Sequence, residues 1–128
     1  MTGDTAQAQI RVLIVDDEAI IREALRALLE HEPDIDVVGV AGDAQEAISL
    51  VERLSPHVTV LDVRLPGGGG ELVAQELRRK APETKVLAFS AYGDRDSITM
   101  MRALGAAAYL VKGAPNHEVV DTIRSLGP

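Results

Sequence analysis

The sequence contains no cysteine and no tryptophan, and only three of its 128 residues are aromatic. Without cysteine the chain has no disulfide framework, no cysteine-based zinc site and no thiol nucleophile. Its histidines, at positions 31, 57 and 117, lack the spacing of a metal site. No apolar run approaches the ~20 residues of a membrane span, and the polar segment 1–9 has no signal-peptide core. These absences predict a cytoplasmic protein that makes no contact with a membrane.

Positive charge is also scarce in this chain. The sequence has 13 Lys and Arg residues against 20 Asp and Glu residues, which gives a formal net charge of −7. Nucleic-acid backbones are held chiefly by clustered Lys and Arg side chains. We therefore expect no direct binding of nucleic acid by this domain.

Five short apolar runs alternate with amphipathic helical patterns, which predicts five βα units in one α/β domain. The predicted strands span residues 10–15, 37–41, 58–61, 85–89 and 107–111. The glycine run 67–70 predicts a loop, while Gly105 suits a helix C-terminal cap and Pro115 a first helical turn. Parallel strands joined by right-handed crossovers form a doubly wound sheet that binds ligands beyond the strand carboxyl ends. We expect this domain to span residues 10–127, after a flexible N-terminal segment 1–9.

Three aspartates follow two of the predicted strands. Asp16 and Asp17 come directly after strand 10–15, and Asp62 comes directly after strand 58–61. Because parallel strands end at one edge of the sheet, we expect the three carboxylates to meet there. Like charges repel, so their convergence predicts a bound cation, and oxygen ligands without His or Cys suit Mg²⁺ or Mn²⁺. Taken alone, each aspartate could also be a helix cap or a turn residue.

Two later strands end on a hydroxyl and an amine. Ser90 follows strand 85–89, and Lys112 follows strand 107–111. An aspartate can attack phosphorus when a divalent cation and a fixed amine neutralise charge on the phosphoryl oxygens. Asp62 is the predicted nucleophile, and Ser90 and Lys112 are predicted to contact those oxygens. The predicted metal ligands are Asp16, Asp17, Asp62 and the main-chain carbonyl of Arg64.

The stretches VLIVDDE, VLDVRLP, LAFSA and AAYLVKGA closely resemble the receiver domains of two-component response regulators. The resemblance covers nearly the whole chain and implies a flavodoxin-like (βα)5 fold with strand order 2-1-3-4-5. It also implies that Asp62 accepts phosphate from a histidine kinase or phosphotransfer protein in a Mg²⁺-dependent reaction. Asp16 and Asp17 match the acidic metal pocket of the family, and Lys112 matches its invariant lysine.

The same resemblance implies a conformational switch that responds to phosphorylation. Ser90 matches the family's switch hydroxyl, and Tyr109 matches the aromatic residue whose ring turns inward when that hydroxyl moves toward phosphate. The movement would remodel the surface formed by the fourth helix, the fifth strand and the fifth helix. Receivers dimerise or bind output domains through this surface, so a homodimer and control of transcription are both expected. A module of this kind catalyses only its own phosphorylation and dephosphorylation.

The end of the chain departs from the commonest family pattern. Gly113 follows Lys112 where the family often has proline, and the Lys-Gly-Ala ending resembles the receivers of NarL/LuxR-type regulators. The sequence stops at Pro128, where a linker to an output domain would begin. The chain is therefore expected to be either a stand-alone receiver or part of a longer protein.

Two functions from other classes stay open. A metal-dependent phosphatase with an aspartyl-phosphate intermediate would use the same acids and lysine, but it usually carries a second acid where Arg64 stands. A phosphorylation-independent interaction module would keep the pocket and signal through constitutive docking. Dinucleotide binding is disfavoured, because the turn after the first strand is acidic where a glycine-rich loop is needed. Arg64 and Tyr92 are instead expected to screen the attacking water and slow self-dephosphorylation.

Overall fold

The structure is a computed structural model that describes residues 9–128. The predicted flexible segment 1–9 thus lies outside the described residues, apart from Gln9. The helices and strands, in chain order, are β1 (Ile10–Val15), α1 (Ala19–Glu30), β2 (Ile35–Ala41), α2 (Ala44–Leu54), β3 (Val58–Asp62), a 3₁₀ turn (Pro66–Gly68), α3 (Gly69–Lys80), β4 (Lys85–Ser90), α4 (Arg95–Ala103), β5 (Ala108–Val111) and α5 (Asn116–Leu126).

All five strands are parallel and lie in the order β2-β1-β3-β4-β5. This order confirms the predicted flavodoxin-like (βα)5 fold. Strand β3 lies at the centre of the sheet with β1 on one side and β4 on the other. The carboxyl ends of these three strands therefore lie side by side, where the predicted site residues follow them.

Apolar side chains that alternate along the strands build one hydrophobic layer on each face of the sheet. Leu13 and Leu61 point to the layer that helices α2, α3 and α4 cover. Ile14 and Val60 point to the opposite layer, which α1 and α5 cover. Burial of the sheet on both faces explains why its central strands read as continuous apolar runs.

Individual residues determine where helices α2, α4 and α5 begin or end. Asp43 caps α2 by accepting a hydrogen bond from the Glu46 N–H at 2.8 Å. Gly105 follows α4 with a φ of 101°, a left-handed conformation that a side chain disfavours. Pro115 is the N-cap residue of α5 and so lies one position before the predicted first turn.

The structure corrects two predicted boundaries by two residues, and three other strand ends differ from their predicted positions by one residue. Gly69 and Gly70 begin helix α3, although the glycine run was predicted to form a loop throughout. Only Gly67 and Gly68 adopt the left-handed conformation of the turn, with φ of 70° and 71°. Strand β2 begins at Ile35, two residues before its predicted start.

The helices described among residues 9–128 are all short. None of the helices described there is both long enough and apolar enough to span a bilayer. The longest are the 12-residue helices α1 and α3, and each has a polar face.

Candidate functional site

The three aspartates meet at the carboxyl edge of the sheet. Asp16 follows β1 and is 1% exposed, and Asp62 ends β3 and is 3% exposed. Asp17 is exposed to solvent beside them. One carboxylate oxygen from each residue can be chosen so that all three oxygens lie within 4.8 Å of one another. Two buried acids and one solvent-facing acid therefore form a single cluster.

The polar atoms of Asp16 contact several neighbouring groups. Its N–H donates to the Ala41 carbonyl at 3.0 Å, and its Oδ1 accepts from the Glu18 N–H at 2.8 Å. Its Oδ2 is buried and pairs with Nζ of Lys112 at 2.8 Å, and no other donor among the described residues bonds to it. One buried carboxylate oxygen thus retains its capacity to accept a further contact.

Lys112, directly after β5, supplies the fixed positive charge of the site. Its Nζ lies 3.5 Å from Oδ1 of Asp62 and 3.9 Å from Oε1 of Glu18, in addition to the shorter contact with Asp16. Burial lowers the pKa of Lys112, but the ion pairs with Asp16 and Asp62 outweigh burial and raise it above its ordinary value. The ammonium therefore stays charged at neutral pH.

The environment of Asp62 disfavours the ionised form of its carboxyl group. Burial is the largest effect on its pKa and raises it, and the negative charge of Asp16 raises it further. The Arg64 N–H, which donates to Oδ1 of Asp62 at 3.0 Å, and the charge of Lys112 act in the opposite direction. The net result is a pKa above the usual value of 3.8.

The two predicted switch residues both bond to the main chain of Tyr92. Ser90 is fully buried at the end of β4, and its Oγ accepts from the Tyr92 N–H at 3.1 Å. The hydroxyl of Tyr109 donates to the Tyr92 carbonyl at 2.6 Å. Tyr92 is therefore connected to Ser90 through its N–H and to Tyr109 through its carbonyl.

A cavity of about 250 Å³ opens above the acids. Its lining residues are Asp17, Glu18, Asp62, Arg64, Ala91, Tyr92 and Lys112. On one side the guanidinium carbon of Arg64 lies 4.3 Å from the centre of the Tyr92 ring, within the range of a cation–π contact. Ser90 and Tyr109 are not among the lining residues. They are connected to the cavity by their hydrogen bonds with the main chain of Tyr92, which does line it.

Sequence reasoning missed two contributors to the site. The Glu18 N–H donates to Asp16, and Nη1 of Arg22 donates to the Asp16 main-chain carbonyl at 2.7 Å. Arg22 lies one helical turn after Glu18, on the first turn of α1. No feature of the local sequence distinguishes it from the other arginines of the chain, and only the tertiary structure identifies it.

The donor set suits a small hard cation. Every side chain of the cluster offers carboxylate oxygen, and no His or Cys lies in it. The buried Asp16 Oδ2 and the exposed Asp17 would give a cation both protein contact and access to solvent water. The residues that are present therefore fit Mg²⁺ or Mn²⁺.

Comparison with known proteins identifies relatives over most of the chain. The family model "Response regulator receiver domain" matches residues 12–124. The transcriptional regulatory protein LiaR of Bacillus subtilis is 34% identical over 116 residues, which cover 91% of this chain and 55% of that protein. The transcriptional regulatory protein PdtaR of Mycobacterium tuberculosis is 41% identical over an alignment of 129 positions. The match covers 96% of this chain and 61% of that protein. The chain spans little more than half the length of these curated relatives.

Solved structures agree with the sequence relatives. The signal receiver domain of the response regulator NarL from Mycobacterium tuberculosis superposes with a TM-score of 0.88 at 31% identity. That match covers 92% of this chain and 95% of the other. A two-component response regulator of the LuxR family from an Aurantimonas species gives a TM-score of 0.87, also at 31% identity. It covers 92% of this chain and 84% of the other.

Proposed function

The chain belongs to the response regulator receiver domain family, and we propose that residues 10–127 act as a phosphorylation-controlled switch of a two-component system. In this proposal Asp62 accepts a phosphoryl group from a phosphohistidine on a histidine kinase or phosphotransfer protein. The observation that carries the proposal is the convergence of two buried aspartates, one exposed aspartate and a lysine at one sheet edge. That arrangement combines a nucleophile, a cation site and a fixed positive charge.

A divalent cation, Mg²⁺ or Mn²⁺, is the proposed cofactor. Asp16, Asp17, Asp62 and the main-chain carbonyl of Arg64 would hold it. When bound, it would supply positive charge that neutralises the phosphoryl oxygens during transfer. The family as a whole binds Mg²⁺ at an acidic pocket of this kind.

The reaction itself is a displacement at phosphorus by Asp62. Because Oδ1 of Asp62 accepts the Arg64 N–H, we assign Oδ2 as the attacking atom. An O–P bond forms as the bond from phosphorus to the donor's imidazole nitrogen breaks, and the released imidazole keeps that electron pair. Lys112, already 3.5 Å from Oδ1, is placed to turn from the carboxylates to a phosphoryl oxygen.

The contacts of Tyr92 suggest how the signal leaves the pocket. The Ser90 hydroxyl would move toward a phosphoryl oxygen and donate to it, and because the same Oγ accepts the Tyr92 N–H, this movement would shift Tyr92. Tyr109, which donates to the Tyr92 carbonyl, would change its position with Tyr92. The α4–β5–α5 surface carries Tyr109 and is the proposed contact for an output domain or a second copy of the chain.

Exposed apolar side chains at the carboxyl edge of the sheet support a protein as the phosphoryl donor. Within the described residues, four large apolar side chains are exposed, namely Ile20, Leu72, Tyr92 and Val111. Each lies at the carboxyl edge of the sheet, in a first helical turn or directly beside a strand end. Exposed apolar side chains on the same edge of the sheet as a charged pocket favour a macromolecular donor over a small free ester.

Control of transcription in the cytoplasm is the proposed biological setting. LiaR and PdtaR are both named as transcriptional regulatory proteins, and each is longer than this chain. In a longer protein of this kind a separate domain would contact nucleic acid, since this domain carries a net charge of −7.

The proposal is tested by incubating the protein with acetyl phosphate and Mg²⁺ and measuring the intact mass. We expect one labile phosphoryl adduct on the wild-type protein and on the control variant Asp121→Asn, whose aspartate lies on the exposed side of α5. The adduct should be absent from Asp62→Asn and from wild-type protein in EDTA. An adduct that persists in Asp62→Asn would refute the assignment of the acceptor. Release of many phosphates per chain from simple esters would instead identify a phosphatase.

A further inference from the structure

We propose that Arg22 is a positioning residue that orients the two neighbouring aspartates of the cation site. The inference rests on the proposed function, because it concerns the affinity of the acid cluster for Mg²⁺. Nη1 of Arg22 donates to the main-chain carbonyl of Asp16 at 2.7 Å. That carbonyl belongs to the peptide group that joins Asp16 to Asp17. This hydrogen bond therefore holds the peptide plane whose two ends carry the Asp16 and Asp17 side chains.

The other end of Asp16 is fixed independently. Its N–H donates to the carbonyl of Ala41 at the end of β2, at 3.0 Å. With the Ala41 and Arg22 contacts in place, the main chain of Asp16 is held from both sides. Loss of the Arg22 contact would release the Asp16–Asp17 peptide group, while β1 and its sheet pairing stay intact.

The guanidinium of Arg22 contacts this peptide group and not the carboxylate of an acid. Among residues 9–128 no carboxylate lies within 4.0 Å of its guanidinium, although the protein carries a net charge of −7. Arg26, one turn further along α1, shows the common alternative, an exposed ion pair with Glu30 at 3.3 Å. The two arginines of one helix thus differ in what they contact, and Arg26 is a matched control.

Because Gly42 has no side chain, the guanidinium of Arg22 can lie close to its main chain. A Cβ atom at Gly42 would lie 3.0 Å from Nη1 of Arg22 and 4.0 Å from the Asp16 carbonyl oxygen. Gly42 does not have a positive φ, so alanine is compatible with its backbone. The variant Gly42→Ala should therefore shift the end of the Arg22 side chain by a few tenths of an ångström and weaken its hydrogen bond to Asp16 without removing the side chain.

A small rotation of the peptide group has a large effect on a magnesium site. Mg²⁺ demands near-ideal octahedral geometry, with ligand oxygens at ~2.1 Å. Residues that orient the ligands of a metal change its affinity by about 10-fold to 100-fold when they are mutated. We expect Arg22→Met to weaken Mg²⁺ binding by about 10-fold.

The experiment is a Mg²⁺ titration of the full chain followed by amide NMR, which reports both the dissociation constant and the folded state of each variant. Arg22→Met should bind about 10-fold more weakly than the wild type. Arg22→Lys, which can still donate to the carbonyl, should recover most of the affinity, and Arg26→Met should match the wild type. A merely structural role for Arg22 would instead alter the metal-free spectrum throughout α1 and leave the dissociation constant unchanged.

A double-mutant cycle supplies the decisive comparison. Gly42→Ala should weaken Mg²⁺ binding in the wild-type background and have no further effect in the Arg22→Met background, because it acts through the guanidinium. An equal effect in both backgrounds, or wild-type affinity in Arg22→Met, would overturn the inference while leaving the proposed function intact. Absence of Mg²⁺ binding by the wild-type chain would overturn both. If Arg22→Met does not fold, Arg22→Lys and Gly42→Ala still test the contact.

Discussion

The ammonium of Lys112 lies nearer to Asp16, at 2.8 Å, than to Asp62, at 3.5 Å. One cation is thus shared between two buried acids, and its closer partner is not the proposed phosphoryl acceptor. In the absence of a divalent ion, this amine is the cation that offsets the repulsion between the two carboxylates. Its removal should therefore affect stability as well as reactivity.

The first prediction concerns the variant Lys112→Met, which keeps most of the side-chain stem and removes the charge. It leaves two buried carboxylates without their cation, so we expect the free energy of unfolding in EDTA to fall by about 3 kcal/mol. Urea denaturation measures this change. The control Lys80→Met removes a more exposed amine that pairs with Glu76 on α3 and should leave the stability nearly unchanged. Equal stability of the two variants would contradict the prediction.

The second prediction is a pH dependence. Burial raises the pKa of Asp62 above 3.8, so ionisation of this group destabilises the folded state as the pH rises from 3.8 through the raised value. The destabilisation is complete above the raised pKa and absent well below 3.8. In EDTA at neutral pH, Asp62→Asn should therefore be more stable than the wild type by on the order of 1 kcal/mol.

Urea denaturation at a series of pH values tests this expectation. The stability advantage of Asp62→Asn should shrink as the pH falls toward the ordinary pKa of an aspartate and vanish below it. Saturating Mg²⁺ should also reduce the advantage, since a cation bound to the acids stabilises the wild type in particular. A difference that does not change with pH would show that the substitution acts through packing and not through charge.

The third prediction concerns the lifetime of the phosphorylated protein. The guanidinium of Arg64 stacks on the ring of Tyr92 at one side of the cavity, where the pair would restrict access of water to the acceptor. Arg64→Ala and Tyr92→Ala should each shorten the phosphoryl lifetime by about 2-fold to 5-fold, the equivalent of a contact of ~0.5–1 kcal/mol. Decay of the intact-mass adduct measures it, with Arg95→Ala as the exposed control.

The double variant of Arg64 and Tyr92 adds a second comparison. If the two side chains act as one stacked pair, the lifetime of the double variant should be close to that of either single variant. Lifetimes that fall by the product of the two separate factors would show independent roles. No change in either single variant would exclude the pair from the control of hydrolysis.

The fourth prediction compares two glycines near the acceptor. A Cβ atom at Gly70 would lie 2.3 Å from the Val63 carbonyl oxygen and 2.9 Å from that of Asp62, so the start of α3 would have to move away from the acceptor strand. Gly70→Ala should cost about 2 kcal/mol of stability and slow phosphorylation. Gly67→Ala meets nothing within 4 Å, and only its φ of 70° opposes a side chain, at about 1 kcal/mol.

Stability and phosphorylation rate, measured together, separate the two glycines. Gly67→Ala should be mildly destabilised with a phosphorylation rate close to that of the wild type. Gly70→Ala should be affected in both properties, because the contact involves the main chain next to Asp62. If the two variants react at the same rate, the position of α3 does not influence the acceptor.

The element types and the meeting of the site residues at one edge were predictable from the residue pattern, whereas the strand order was predicted from the resemblance to receiver domains. Local apolar patterning decides between helix and strand, and parallel topology then brings every strand carboxyl end to one edge. Asp16, Asp17 and Asp62 follow from these two rules. Ser90 and Lys112 follow in the same way, and no detail of side-chain packing is needed to place any of them.

Contacts that depend on tertiary packing could not be predicted in this way. Gly70 lies inside a helix, against its local preference, because the helix start packs directly on the Val63 carbonyl. Arg22 and Arg26 occupy one helix, and only the fold determines that one reaches Asp16 while the other pairs with Glu30. Side-chain conformations of this kind are fixed by neighbours distant in sequence, which periodicity does not record.

The hydrogen bond from the Tyr92 N–H to the Ser90 Oγ has a consequence for how the pocket can respond. A hydroxyl carries one hydrogen and two lone pairs, so Ser90 can keep accepting the Tyr92 N–H while its own hydrogen turns to a new acceptor. The bond to Tyr92 therefore need not break when Ser90 moves toward the cavity and donates to a new acceptor. Movement of Ser90 would then displace the Tyr92 main chain without any exchange of hydrogen-bond partners.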